Sequence, residues 1–314
     1  MFKILKNISA NYIMLFVVAL TAALVLFSGL KMQRHPLAEV LDKNKKPMRI
    51  VSMSVSADEM LLALVGDKRL IAVSPWSEVA SVSCIADKVK AIPHRAYSSN
   101  AEALLAIQGD LIVVPDYTRT EVVRTLREAG TKVYVCNTPR TLQEVRDALQ
   151  QLGELVGEPA KAQQVIAQMD ARLQRIASQV AKIPDDKRVK VLRLQENGSY
   201  YAPKSSFMEI CRLAGMQDAS EELHYDYSCT LSQEEILLLD PDVFVLEDWN
   251  YDGRHDSNVL KQQILSNRAY EGTKAWQQQR VVLIPANHLL TVSQYMVEAV
   301  EDMAMAVYPE YVKR

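Results

Sequence analysis

Asn100 to Asp116 reads NAEALLAIQGDLIVVPD and Ser232 to Asp248 reads SQEEILLLDPDVFVLED, two stretches that align without a gap at an offset of 132. Glu102 falls on Glu234, Leu105 on Leu237, Asp110 on Asp242, Val113 on Val245 and Asp116 on Asp248. Each predicts a capped helix, a tight turn and a buried strand, because a helical apolar pattern gives way to a short apolar run flanked by turn residues. Agreement at charged as well as apolar positions predicts two lobes on one plan.

The flanks extend the same alternation. Arg49 to Met53 (RIVSM) reads as a strand, and Ser56 with Glu59 three residues later as a capping box opening the helix Ala57 to Leu64, which Gly66 ends. Further strands are predicted at Leu70–Val73, Asp110–Val114 and Lys132–Cys136, with a helix from about Thr120 to Ala129. Thr141 to about Lys182 is continuously helical, broken near Gly157-Glu158-Pro159 where proline suits a new first turn. Val165, Ile166, Met169, Leu173 and Ile176 give that stretch one buried face, too short and irregular for a coiled-coil seam. Strands then resume at Val189–Leu194, Val243–Leu246 and Val281–Ile284. The expected class is α/β, two lobes of mainly parallel sheets flanked by helices and joined by one long helix. The expected divisions are a first lobe at 49–139, connecting helices at 140–184 and a second lobe at 185–314.

Lys3 and Lys6 precede an uncharged run of 19 residues from Tyr12 to Leu30, and Lys31 and Arg34 come after it. That length just suffices to cross a bilayer. Around Ser28-Gly29 the small-x-small cleavage pattern is poor, so residues 1–32 are expected to be an uncleaved membrane anchor, with a cleaved signal peptide as the alternative. Residues 33–48 read as a polar linker, and an anchor and a signal peptide alike place the two lobes outside the cytoplasm. Lys plus Arg total 36 against 38 for Asp plus Glu, a net charge of −2 that offers no basic face to nucleic acid. Cys84, Cys136, Cys211 and Cys229 have no zinc-like spacing; pairing of Cys84 with Cys136 and Cys211 with Cys229, or four free thiols, are both open.

The motifs of catalysis are missing: no P-loop, no G-x-G-x-x-G, no G-x-S-x-G elbow and no H-E-x-x-H. The histidines His35, His94, His224, His255 and His288 are scattered, and no enzyme activity or cofactor is expected. Polar aromatics stand out instead. In open parallel sheets ligands bind beyond the carboxyl ends of the strands. Reading outward from those ends gives Ser54, Ser56, Trp76, Tyr117 with Arg119, Tyr200 with Tyr201, Trp249 with Tyr251, and His288. The loop before Glu102 adds His94, Arg95 and Tyr97, and the stretch before Ser232 adds His224, Tyr225 and Tyr227. Such residues cover a broad, partly aromatic ligand and hydrogen-bond at its rim.

In these residues and their order the chain resembles the substrate-binding proteins of ABC importers for iron-siderophores, haem and vitamin B12, and is similar in layout to the vitamin B12-binding protein family. The markers run in the family's order: RIVSMSVSADEMLLALVGDKRLIAVS at 49–74, NAEALLAIQGDLIVV at 100–114, GSYYAPKSSFMEICRLAGM at 198–216, LSQEEILLLDPDVFVL at 231–246 and AWQQQRVVLIP at 275–285. The resemblance implies a ligand held between lobes of limited mobility, and one acid per lobe docking onto a basic permease surface. Glu102 and Glu234 occupy those places, where each acid also favours its own helix dipole. Two departures are plain: no lipobox, and Pro75-Trp76-Ser77-Glu78 in place of the usual glycine- and proline-rich loop.

The expected function is capture of a metal chelate or macrocycle, a ferric siderophore, haem or cobalamin, and its delivery to a permease with its ATPase. Arg95, Arg119 and Arg254 are candidates for anionic groups, and Tyr97, His94 or His224 for a haem iron. The protein is expected to be a monomer. The rival reading is an exported sensor or adhesion module that kept the fold without the transport role; a metal-dependent hydrolase would require a tight His and carboxylate cluster.

Overall fold

The computed structural model describes residues 46–97, 100–195, 198–249 and 256–314. The predicted anchor and nearly all of the linker lie outside the described residues, as do Tyr251, Arg254 and His255. Among the described residues no helix is long and apolar enough to cross a membrane.

The first lobe is a parallel sheet of β1 (Ile50–Ser52), β2 (Leu70–Val73), β3 (His94–Arg95), β4 (Leu111–Pro115) and β5 (Val133–Cys136), in the order β3-β2-β1-β4-β5. Helices α1 (Val55–Val65), α2 (Ala101–Ala106) and α3 (Thr120–Glu128) connect its strands. Buried Val51, Leu104, Ile112, Val114 and Leu126 pack together on one side of it. Two helices follow, α4 (Leu142–Leu155), opened by the Thr141–Glu144 capping box, and α5 (Pro159–Val180) with proline in its first turn. At 22 residues α5 is about 33 Å long.

The second lobe holds β6 (Lys190–Arg193), β7 (Tyr200–Tyr201), α6 (Ser206–Leu213), β8 (Gln217–Asp218), β9 (Cys229–Thr230), α7 (Gln233–Leu239), β10 (Val243–Asp248), α8 (Ser257–Ser266), α9 (Lys274–Gln277), β11 (Val281–Pro285), α10 (Ala286–Leu289) and α11 (Met296–Val307). Its parallel sheet runs β11-β10-β6-β8, and β7 pairs with β9 in a separate antiparallel ribbon. Leu192, Phe244, Leu246, Ile236 and Tyr270 centre its core.

The internal repeat does the same work in both lobes. Asp110 accepts from the backbone N–H groups of Met48 at 2.8 Å and Arg49 at 3.0 Å, and Asp242 accepts from Lys190 N–H at 2.8 Å, so each aspartate ties down the start of its lobe's central strand. The long helix is fastened on both sides. Arg146 of α4 donates to Asp170 at 2.6 Å, and Gly153 lets α4 and α5 close up, since a Cβ there would stand 2.5 Å from Ala162 Cβ. Toward the second lobe Arg172 pairs with Glu298 and Glu301 of α11.

One expectation changes, and one open alternative closes. The capping box at Ser56 and Glu59 does not form: Ser54, whose backbone is extended, is the N-cap and accepts from Ala57 N–H, which leaves Ser56 inside the first turn. All four cysteines are free thiols.

Candidate functional site

Exposed aromatic rings stand at the carboxyl end of the first sheet and on and beside the antiparallel ribbon of the second lobe. In the first lobe Trp76 sits in the turn after β2, itself opened by Ser74, and is 52% exposed; Tyr97 follows β3, and Tyr117 follows β4 at 71% exposed. In the second, Tyr200 of β7 and Tyr227 are also exposed. Large rings left in water at strand ends are poor packing units and good ligand platforms.

Behind them lies a tyrosine cluster. Tyr225 and Tyr227 stack with centroids 5.3 Å apart, and Tyr201 meets Tyr225 edge-on at 5.8 Å. Buried Tyr201 donates to the Tyr225 carbonyl at 2.8 Å, while the Tyr225 hydroxyl donates to Glu235, a bond that pushes its pKa up to about 12. His224 precedes this cluster, in the left-handed backbone region at φ 53°.

A cavity of about 560 Å³ opens beside the ends of β6 and β10, lined by Gln195, Glu247, Trp249, Asp256, Leu260 and Gln263 among others. Trp249 is set there by its own backbone N–H, which donates to Ser257 Oγ at 3.1 Å; Ser257 in turn donates to Asp248 at 2.8 Å. Sequence reasoning found Trp249 and missed the amides and acids around it. Gln195 and Glu247 stand at strand ends and could have been found by the same rule; Asp256 caps the helix Ser257–Ser266 and Gln263 lies within it, where no local signal marks them.

Other expected contacts are committed elsewhere. Ser54 is a buried helix cap. Arg95 donates to the carbonyls of Ile92 and His94, both at 2.8 Å, and pairs with Glu78, so its guanidinium fastens the loop that carries Trp76. His288 Nδ1 lies 2.6 Å from Asp302 Oδ2, and its ring is held to α11. His94 is exposed on the edge strand, Ser56 is partly exposed, and Arg119 stands at the start of α3. Among the described residues no group of three or more His, Cys, Asp or Glu is placed to hold a metal ion.

Under the first-lobe rim α1 carries two consecutive buried acids. Asp58 accepts through one oxygen from Ser74 N–H at 2.7 Å and Ser77 Oγ at 2.6 Å. Its other oxygen faces the Ser52 hydroxyl, and neither of those two atoms has a partner at hydrogen-bonding geometry. Burial lifts the Asp58 pKa to about 7. Burial also raises that of Glu59, whose partners lie partly in the second lobe.

Glu102 and Glu234 are exposed and occupy the same position, second in their helices after the caps Asn100 and Ser232. They lie at the amino ends of α2 and α7, each of which leads through a tight turn into a strand.

Known proteins share this architecture. Over 268 residues the chain is 24% identical to a cobalamin-binding protein of Halobacterium salinarum, covering 84% of this chain and 70% of that one. It is 23% identical over 280 residues to a substrate-binding lipoprotein of an ABC transporter from Bacillus subtilis, covering 86% and 82%. A periplasmic haem-binding protein from Roseiflexus shares the fold with a TM-score of 0.70 at 20% identity, covering 83% of this chain and 98% of that one. The family model described as periplasmic binding protein matches residues 50–288. A two-lobed chain with aromatic platforms at its strand ends and that match across most of its length belongs to the periplasmic binding protein family.

Proposed function

We propose that this solute-binding protein captures a corrinoid, within the broader class of metal chelates and macrocycles, between its lobes outside the cytoplasm and delivers it to an ABC importer. The observation that carries the reading is the pairing of flat aromatic surfaces with a second-lobe cavity lined by Trp249, two amides and two acids. A corrin ring is broad and apolar on its faces and rimmed with primary amides, which can donate to Glu247 and Asp256 and exchange hydrogen bonds with Gln195 and Gln263. Haem propionates and anionic ferric chelates would meet Asp256 as a like charge, while Glu247 is already paired with Arg193. The name of the Halobacterium relative supports the same choice. In this reading Trp76, Tyr97, Tyr117, Tyr200 and Tyr227 cover the ligand, Glu102 and Glu234 dock on the permease, and the apolar run Tyr12 to Leu30 holds the protein at the membrane.

Titration of the purified protein with cyanocobalamin, haemin and a ferric siderophore, followed by absorbance and tryptophan fluorescence, tests it. The expected result is cyanocobalamin binding with Kd below about 1 µM and quenching of tryptophan emission. Binding of haemin or the siderophore instead would overturn the corrinoid and leave solute capture standing. Response to a free divalent ion alone would remove the chelate class altogether.

A further inference from the structure

Of the two neighbouring acids on α1, Asp58 bonds within its own lobe, whereas Glu59 bonds across to the other. Glu59 is fully buried at 0% exposed. Its Oε1 accepts from Cys84 N–H at 2.8 Å and Ser83 Oγ at 3.3 Å, within the first lobe. Its Oε2 accepts from Thr291 Oγ1 at 2.6 Å and Ser293 Oγ at 2.5 Å, both buried in the segment that links α10 to α11. Gln294 Nε2 donates to the Glu59 backbone carbonyl at 2.9 Å, and Cys84 Sγ donates to the Asn287 carbonyl at 3.3 Å.

We infer that Glu59 is a positioning residue that fixes the angle between the lobes, and with it the width of the ligand cleft, as a second connection beside α5. A single helix sets the separation of two bodies but lets them pivot at its ends; a second fastening removes that freedom. The fastening sits where it can act on the cleft, because α1 starts at the carboxyl end of β1 and the 290–295 segment follows the carboxyl end of β11 by one short helix. Separation of the lobes strips both hydroxyl donors from Oε2 and the amide donor from the Glu59 carbonyl, and a buried carboxylate deprived of donors is strongly disfavoured.

The test needs no ligand, so it is independent of the corrinoid reading. Spin labels attached by a non-cysteine chemistry at exposed Glu128 and Gln262 report the interlobe distance by pulsed electron resonance. Thr291→Val with Ser293→Ala removes the donors of the second lobe and should broaden that distance distribution roughly twofold. Ser83→Ala, which removes a donor of the same carboxylate inside the first lobe, should leave it narrow. So should Glu59→Gln, whose amide can donate to reoriented hydroxyls while its oxygen still accepts from Cys84 N–H. An unchanged distribution in the double variant overturns the inference. Equal broadening in Ser83→Ala, or loss of hydrogen-exchange protection throughout the double variant, overturns it too, because Glu59 would then support folding rather than the angle.

Discussion

The segments 100–116 and 232–248 share the positions that hold the backbone and differ where the strand ends. Asn100 and Ser232 both cap, with side chains accepting from Ala103 and Glu235 N–H groups. Leu104 and Ile236 are both buried. Gln108 and Asp240 both take the left-handed backbone, at φ 58° and 42°. Asp116 and Asp248 both accept from a hydroxyl at 2.8 Å, Thr138 in one lobe and Ser257 in the other. One residue later the likeness stops: the first lobe presents exposed Tyr117 on a tight turn, the second sets Trp249 into a cavity. A helix-turn-strand unit requires particular side chains at its cap, its reversal and its strand entry. It requires nothing of the residues beyond the strand, and there the two lobes diverge.

The largest expected effects fall on the shared interior. Leu104→Ala and Ile236→Ala each remove a buried side chain from the corresponding place in a separate core, and each should cost about 2–5 kcal/mol in chemical denaturation. Two distinct transitions, with each substitution moving only one, would show lobes that fold separately. A single transition moved by both would show that α5 and the contacts of Glu59 make them one cooperative unit.

Buried acids give the next contrast. In each lobe burial lifts an aspartate well above the ordinary carboxyl range, Asp58 to about 7 and Asp218 to about 6. Their folded-state values exceed the unfolded one, so the stability they contribute is complete below about pH 4. It is lost as pH rises toward 7 for Asp58 and toward 6 for Asp218, at up to about 1.4 kcal/mol per pH unit. Asp58→Asn should therefore stabilise the protein at pH 8 by roughly 1–3 kcal/mol and much less at pH 4. The new amide can keep both donors on its oxygen and give its N–H to the unpartnered Ser52 hydroxyl. Asp218→Asn should gain less, because its raised range is narrower and its carboxylate already serves Ser220 N–H and Oγ. Thermal melts across pH 4–8 measure both; an Asp58→Asn gain that does not grow with pH would refute the raised value.

These contrasts also mark how far the amino-acid pattern alone reaches. Leu70–Val73 forms as predicted and the other long strands shift by a residue or two at their ends, since a four- or five-residue apolar run bounded by turn residues has few alternatives. The two-residue strands β3, β7, β8 and β9 are invisible in the sequence, being too short to show a period. At Ser54 and Ser56 two serines compete for one cap, and the extended backbone at Ser54 decides it. Glu59 then turns to hydroxyls more than 230 positions away, a partnership no local pattern carries. His288 and Arg95 look like ligand contacts from their place in the chain, and only Asp302 and Glu78, brought in by the fold, occupy them. Tyr97 and Tyr117 are exposed where the strand-end rule places them, while Tyr227, also exposed, stacks on Tyr225.

The smallest effect on the folded chain, and the sharpest on transport, is expected at Glu102 and Glu234. Each lies in the first turn of a helix whose cap is supplied by another side chain, Asn100 or the Ser232–Glu235 capping box, so reversal to arginine removes only a favourable dipole contact. That is worth about 0.3–1 kcal/mol per site. Neither residue lines the cavity, and each is exposed in the first turn of its helix. Glu102→Arg with Glu234→Arg should therefore leave cyanocobalamin affinity within about twofold, since rim charges outside a site act weakly on it. In cells expressing the cognate importer the same protein should fail to support uptake, because two like charges now face each other across the docking surface. Each single reversal tests the equivalence of the lobes: equal partial losses mean both first-turn acids bear on the permease alike. Normal uptake by the double variant would reduce the two glutamates to helix stabilisers, and lost ligand affinity would place them in the cleft rather than on the docking surface.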